Sequence, residues 1–315
     1  MAEIGTDIEK AIRLLTQNEL VAIPTETVYG LAGNALNKVA AAKIFSVKDR
    51  PQFDPLIVHV ADLSKAEEYV TEIPEQARML ANKFWPGPLT ILLKKKNIVP
   101  DLVTSGLDTV GIRCPNHPLT HQLLQMLPFP LAAPSANPFG YVSPTRPEHV
   151  EEQLGTKIQY ILDGGTCTIG IESTIVGFEN ETPVVYRLGG LSLESLENII
   201  GYVKLMTHST SNPKAPGQLI SHYAPGKKVF LGAMEELLQQ YPRRCSGILS
   251  FQKDFNSPFQ FILSPSGNME EAAQNLFEAL RSFDKMPVDV ILAERVPNIG
   301  LGRAINDRLE RAAVQ

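Results

Sequence analysis

The stretch Leu20-Val21-Ala22-Ile23-Pro24-Thr25-Glu26-Thr27-Val28-Tyr29-Gly30 decides how this chain is read. Its first four residues are apolar, as in a short buried strand, and Pro24 ends the run because its ring removes a backbone donor. A polar turn follows at once, with Gly33 close behind. Open α/β sheets hold ligands at strand ends, so the turn reads either as part of a site or as a capped turn with Tyr29 in the core. Composition leaves both readings open.

Outward from this stretch, strand and helix patterns intermix. Upstream, Thr6-Asp7-Ile8-Glu9 reads as a capping box before a helix carrying Ile8, Ala11, Ile12 and Leu15. Downstream, Asn37 caps a helix through Phe45. Strands are expected at 56–60, 89–93, 110–113, 131–133, 160–162, 174–178 and 184–188, and helices from Ser64 and at 76–84, 119–126 and 193–200. Some strands succeed one another without a helix, so the expected fold is α/β with a twisted mixed sheet. Residues 205–227 are polar and proline-bearing, as in a linker or lid. Beyond it, strands at 228–231, 247–250, 259–263 and 288–292 and helices at 234–240 and 269–283 predict a smaller α/β domain. The expected division is 1–204, 205–227 and 228–315.

Composition limits the function classes. A 43% hydrophobic content with 20% charged residues suits a globular protein with a sizeable core, and the net charge of −5 argues against a global nucleic-acid field. Cys114, Cys167 and Cys245 form no CxxC pair, which disfavours disulfides and cysteine-held zinc. Neither a secretory signal nor a membrane span is read, so a cytoplasmic protein is expected. There is no GxxxxGK[ST], GxSxG or HExxH motif. Gly300-Leu301-Gly302 lacks the third glycine of a dinucleotide fingerprint and reads as a turn leading into a helix. Catalysis would therefore rest on positioning and fixed charge.

Two further polar clusters accompany the first. Lys48-Asp49-Arg50-Pro51-Gln52-Phe53-Asp54-Pro55 runs into a strand ending near His59. Alone, such a cluster is a solvated face. Ala133-Pro134-Ser135-Ala136-Asn137-Pro138-Phe139-Gly140, continuing to Ser143-Pro144-Thr145, is rich in small residues that let backbone approach a phosphate or ribose, or it is an ordinary loop.

Together and in order, PTETVYGLAG, KDRPQFDPLIVH, FWPGPLT, TVGIRCP, APSANPFGYVSPT, IESTIV, YRLG and HYAP resemble the YrdC-type family of L-threonylcarbamoyl-adenylate synthases, in its long two-domain form. GLGRAINDRLERAA at 300–313 is similar to that family's closing segment. The resemblance implies a YrdC-like sheet with helices plus a Rossmann-like C-terminal domain. It also implies formation of threonylcarbamoyl-AMP and pyrophosphate from L-threonine, bicarbonate and ATP with Mg²⁺. The product would pass to a tRNA threonylcarbamoyl transferase that modifies ANN-decoding tRNAs, with at most a weak tRNA contact by this chain.

Residue by residue, the resemblance implies threonine binding by Thr25, His59, Arg113 and Ser173. It implies ATP binding by Arg50, Asp54, Thr109, Ala133, Ser135, Ser143, Arg187 and Tyr223, with Lys48 and Arg50 as catalytic cations. Residue chemistry agrees for Arg113, whose planar fork suits a carboxylate. A lone strand-end histidine is more often a core residue, and only its motif raises His59 above that. Asp54 departs from the family's usual Asn, so it either faces Mg²⁺ or loses its ATP contact. The linker also lacks the family's Met-Lys after Gly217. Two rivals remain: an RNA-binding module using Lys94-Lys95-Lys96, and a carbamoyl-phosphate-using relative, which would carry zinc-finger-like cysteine pairs.

Overall fold

The structure, a computed structural model, describes residues 1–207, 215–217 and 223–314. Parts of the expected linker, 208–214 and 218–222, lie outside the described residues, as does His222 of the HYAP motif.

Among the described residues, eleven strands between Glu3 and Leu205 form one sheet. It is mixed. Val21–Ile23 runs antiparallel to Gly30–Asn34, whereas Ile57–His59 runs parallel to Thr109–Arg113. The strand Gly30–Asn34 (GLAGN) has no β-branched residue, and its extended form comes from pairing with Val21–Ile23 on one side and Leu131–Ala132 on the other. Four parallel strands make the second sheet, in the order Lys228–Leu231, Val290–Ala293, Ser246–Ser250, Gln260–Ile262. The α/β expectation holds for both units.

Helix ends follow side-chain chemistry. Asp7, rather than Thr6, caps the first helix, Ile8–Thr16, by accepting from the Lys10 amide at 2.9 Å. Asn37 caps Lys38–Lys48, accepting from the Val39 and Ala40 amides. That helix runs beyond Phe45 to Lys48 and stops at Asp49, which is left-handed at φ 53°. The turn sends Arg50 back toward the sheet.

Apolar packing joins the units. One cluster unites Val28, Val142, Ile171 and Tyr223 with Phe277, Leu280 and Ile305 from the C-terminal region. The closing segment is a helix, Gly302–Ala313, and a β-carbon at Gly302 would lie 2.0 Å from the Pro297 carbonyl oxygen. The Gly-Leu-Gly turn leads into a helix, as expected.

Candidate functional site

Two polar loops meet at the strand ends because their backbones zip together. The Tyr29 amide donates to the Pro144 carbonyl at 2.8 Å, the Ala136 amide to the Tyr29 carbonyl at 2.8 Å, and the Leu31 amide to the Pro134 carbonyl at 2.7 Å. The Tyr29 hydroxyl donates to Gly165 and accepts from the Gly164 amide, so this side chain holds the loop. A cavity of about 50 Å³ opens beside the zipped loops. Arg50, His59, Arg113, Ala133, Ser135, Ser173, Arg187 and Tyr223 all line it.

At one end of the cavity, strand register pairs His59 with Arg113. Nη2 of Arg113 lies 2.8 Å from Oε1 of Glu26, and both residues are buried. The contact is Coulombic without hydrogen-bond alignment, which leaves Nε and Nη2 of Arg113 as buried donors lacking hydrogen-bond partners. Oε2 of Glu26 accepts from the Asn116 amide at 3.0 Å. Open guanidinium donors at a cavity wall suit a carboxylate. Burial, aided by Arg113, brings the His59 pKa down to about 3, so the ring is neutral, and Nδ1 is buried with no hydrogen-bond partner.

The other end is cationic. Arg50 donates through Nε to the Asp54 carbonyl at 3.0 Å and through Nη2 to the Pro55 carbonyl at 2.8 Å. Arg187 donates through Nε to the Ser173 carbonyl at 3.0 Å and through Nη2 to the Ser173 hydroxyl at 3.1 Å. Burial pushes both guanidinium pKa values down, as expected for cations crowded away from water. Arg187 also reaches the Pro216 carbonyl at 3.4 Å. Gly217 completes this wall at φ +79°, where a β-carbon would lie 3.0 Å from the Tyr223 hydroxyl and 3.1 Å from Arg187 Cδ.

Five residues named from sequence stand off the cavity lining. Thr25 spends its hydroxyl inside the turn, donating to the Val28 carbonyl at 2.6 Å and accepting from the Thr27 and Val28 amides. Lys48 sits behind the wall, its ammonium donating to the Ser135 and Asn137 carbonyls at 2.6 and 2.5 Å. Asp54 is buried 3.0 Å from Arg50. Ser143 donates to Glu172 at 2.5 Å. Thr109 occupies the far end of the strand from Arg113, opposite Lys94, about 13 Å away at the usual strand rise.

Glu172, Pro216 and Gly217 line the cavity without having been singled out as site residues. Glu172 lies within the IESTIV motif and Pro216 and Gly217 within the expected linker, so position was the signal; their side-chain chemistry alone carried none. The lysine run is engaged elsewhere: Lys94 lies 3.5 Å from Glu72, Lys95 2.9 Å from Asp101, and Lys96 donates to the Glu67 carbonyl at 2.7 Å.

Residues 13–189 match the Sua5/YciO/YrdC family model, described as "telomere recombination", and residues 191–314 match the model for the threonylcarbamoyl-AMP synthase C-terminal domain. The chain belongs to the Sua5/YciO/YrdC family. Within that family it is 42% identical to the threonylcarbamoyl-AMP synthase of Pyrococcus abyssi (strain GE5 / Orsay), over 97% of this chain and 94% of that one. It is 41% identical to the threonylcarbamoyl-AMP synthase of Bacillus subtilis (strain 168), over 97% and 92%. The crystal structure of P. abyssi Sua5 complexed with L-threonine superposes with a TM-score of 0.92 at 40% identity, covering 99% of this chain and 97% of that one. Similarity to these relatives thus extends through both units. No helix among the described residues is long and apolar enough to cross a membrane.

Proposed function

We propose that this chain is an L-threonylcarbamoyladenylate synthase, a nucleotidyltransferase that forms threonylcarbamoyl-AMP and pyrophosphate from L-threonine, bicarbonate and ATP. One observation carries the reading: a single cavity has the open donors of Arg113 at one end and Arg50 and Arg187 at the other. A carboxylate and a polyphosphate are the two anions such a cavity would bring together.

In this reading Arg113 holds the threonine carboxylate and neutral His59 offers a ring nitrogen to the amino acid. The unprotonated amine attacks CO₂ with loss of an N–H proton, or bicarbonate with loss of water, to form a carbamate. A carbamate oxygen then attacks the α-phosphorus of ATP, and pyrophosphate leaves. Arg50 and Arg187 would stabilise the charge that builds on the leaving group, and removing one such donor typically costs about 3–4 kcal/mol of barrier. Lys48 would act from behind by fixing the Ser135 and Asn137 carbonyls. Thr25 would shape the turn that presents Val28. Ala133, Ser135 and Tyr223 would border the nucleotide, Ser173 would border the threonine, and Ser143 would reach the nucleotide through Glu172. Thr109 has no role at this cavity.

Mg²⁺ would arrive with ATP as part of the substrate; Asp54 is paired by charge with Arg50 at 3.0 Å, but neither of its carboxylate oxygens has a hydrogen-bond partner. The adenylate would pass to a transferase that modifies ANN-decoding tRNAs. Engagement of Lys94, Lys95 and Lys96 by local partners supports only a weak tRNA contact here.

Incubation with ATP, labelled bicarbonate and L-threonine should yield labelled threonylcarbamoyl-AMP and one pyrophosphate per adenylate. No threonine-dependent pyrophosphate release would overturn the reading. L-Serine lacks one methyl group and should compete about 10- to 200-fold less well.

A further inference from the structure

The closing helix, Gly302–Ala313, buries Asn306, Asp307, Arg308 and Arg311 along with its apolar residues. Charged groups are placed inside a protein only with partners that compensate them. Arg308 is wholly enclosed; besides its helix neighbour Asp307, whose Oδ2 lies 3.2 Å from Nη1, its hydrogen-bond partners lie in the catalytic unit. Nε and Nη2 donate to Oε2 of Glu172 at 3.1 and 2.9 Å, and Nη1 donates to the Leu188 carbonyl at 2.5 Å. The guanidinium carbon also stands 5.2 Å from the centroid of the Tyr223 ring, which stacks on Phe277 at 5.6 Å. Arg308 does not line the cavity, whereas Glu172 and Tyr223 both do. Burial opposes the Arg308 charge, but Tyr223, Glu172 and Asp307 outweigh it and hold the group protonated.

We propose that Arg308 is a positioning residue for the nucleotide half of the cavity, cancelling the Glu172 carboxylate on the wall and setting the Tyr223 ring beside it. The inference rests on the synthase reading and gives the C-terminal unit a task within it. Glu172 would otherwise present an uncompensated carboxylate to a triphosphate, and like charges at short range in a protein repel strongly. With one of its oxygens taking the Ser143 hydroxyl and the other Arg308, the wall accepts an anion. Loss of Arg308 would therefore weaken ATP more than threonine, whose carboxylate meets Arg113.

The test compares full-length wild type with Arg308→Met, Arg308→Lys, Glu172→Gln and the double variant Arg308→Met/Glu172→Gln. The readouts are kcat, KM for each substrate and calorimetric ATP binding. Arg308→Met should raise KM for ATP by about tenfold or more and KM for L-threonine by less than about twofold. Adding Glu172→Gln should recover at least about threefold of the ATP loss, because the charge needing cancellation is gone. Arg308→Lys should fall between wild type and Met, since it keeps charge but not the fork. An ATP KM unchanged in Arg308→Met would overturn the proposal. So would equal losses for both substrates with no recovery in the double variant, the pattern of a merely structural residue. If Arg308→Met fails to fold, Arg308→Lys and the double variant carry the comparison. If wild type binds ATP but makes no adenylate, the synthase reading fails, and the calorimetric comparison still decides whether Arg308 supports nucleotide binding.

Discussion

The Arg113 guanidinium lies 2.8 Å from the Glu26 carboxylate, yet neither Nη2 nor Oε1 of that contact has a hydrogen-bond partner. A buried pair that is close but misaligned keeps its donors available to a third group. Glu26 thereby offsets the cost of burying Arg113 without occupying its Nε and Nη2 donors.

Arg113→Ala removes the fork and leaves Glu26 buried without its cation. KM for L-threonine should rise by about 100-fold or more, with a smaller change for ATP. Arg113→Lys should also be impaired, because a point charge cannot offer two parallel donors. Steady-state kinetics with each substrate varied in turn would check both outcomes.

His59 makes the folded state acid-sensitive. Its pKa of about 3 in the fold compares with 6.5 in an unfolded chain, so below pH 6.5 the unfolded chain takes up a proton that the folded one refuses. Stability is therefore lost as pH falls from 6.5 toward 3. At pH 4.5 this residue alone should cost about 3 kcal/mol relative to neutral pH. Urea unfolding at pH 7 and 4.5 should show a smaller pH difference for His59→Asn than for wild type.

Asp54→Asn restores the residue usual in the resembled family and removes a carboxylate 3.0 Å from Arg50. The free protein should lose about 1–3 kcal/mol, because Arg50 stays buried without its counter-charge. ATP would supply that counter-charge, so its stabilising effect on Tm should be larger in the variant than in wild type. Thermal unfolding with and without ATP and Mg²⁺ separates the two effects.

Gly217→Ala places a β-carbon against the Tyr223 hydroxyl and Arg187 at a left-handed backbone position. Left-handed strain of about 1–2 kcal/mol adds to the displacement of two residues on the cavity wall. KM for ATP should rise about tenfold while KM for L-threonine stays near wild type. Parallel threonine and ATP titrations in the adenylate assay test this.

Most of the secondary structure was legible because apolar periodicity is local: 160–162, 193–200, 228–231 and 234–240 agree with the observed elements residue for residue. The strand Gly30–Asn34 was not legible, since only its neighbours hold it extended. The capping carboxylate of Asp7 was misread as a box begun by Thr6, because two adjacent capping residues differ in sequence only by one position.

For the site the division follows the same physics. The order of the motifs alone named Arg50, His59, Arg113, Ser135, Ser173, Arg187 and Tyr223, which the fold gathers around one cavity. What sequence could not say is how each polar group is spent. Thr25 turns its hydroxyl onto its own loop, Lys48 reaches backward to two carbonyls, and Asp54 sits 3.0 Å from Arg50 with neither oxygen hydrogen-bonded. Hydrogen-bond partners are chosen by distance in space, so only the tertiary structure separates cavity-facing groups from those behind it. The turn from Pro24 to Gly30 shows both sides. Its motif marked the place, while packing placed Val28 on the cavity wall, Glu26 beside Arg113, and Thr25 and Tyr29 in the frame.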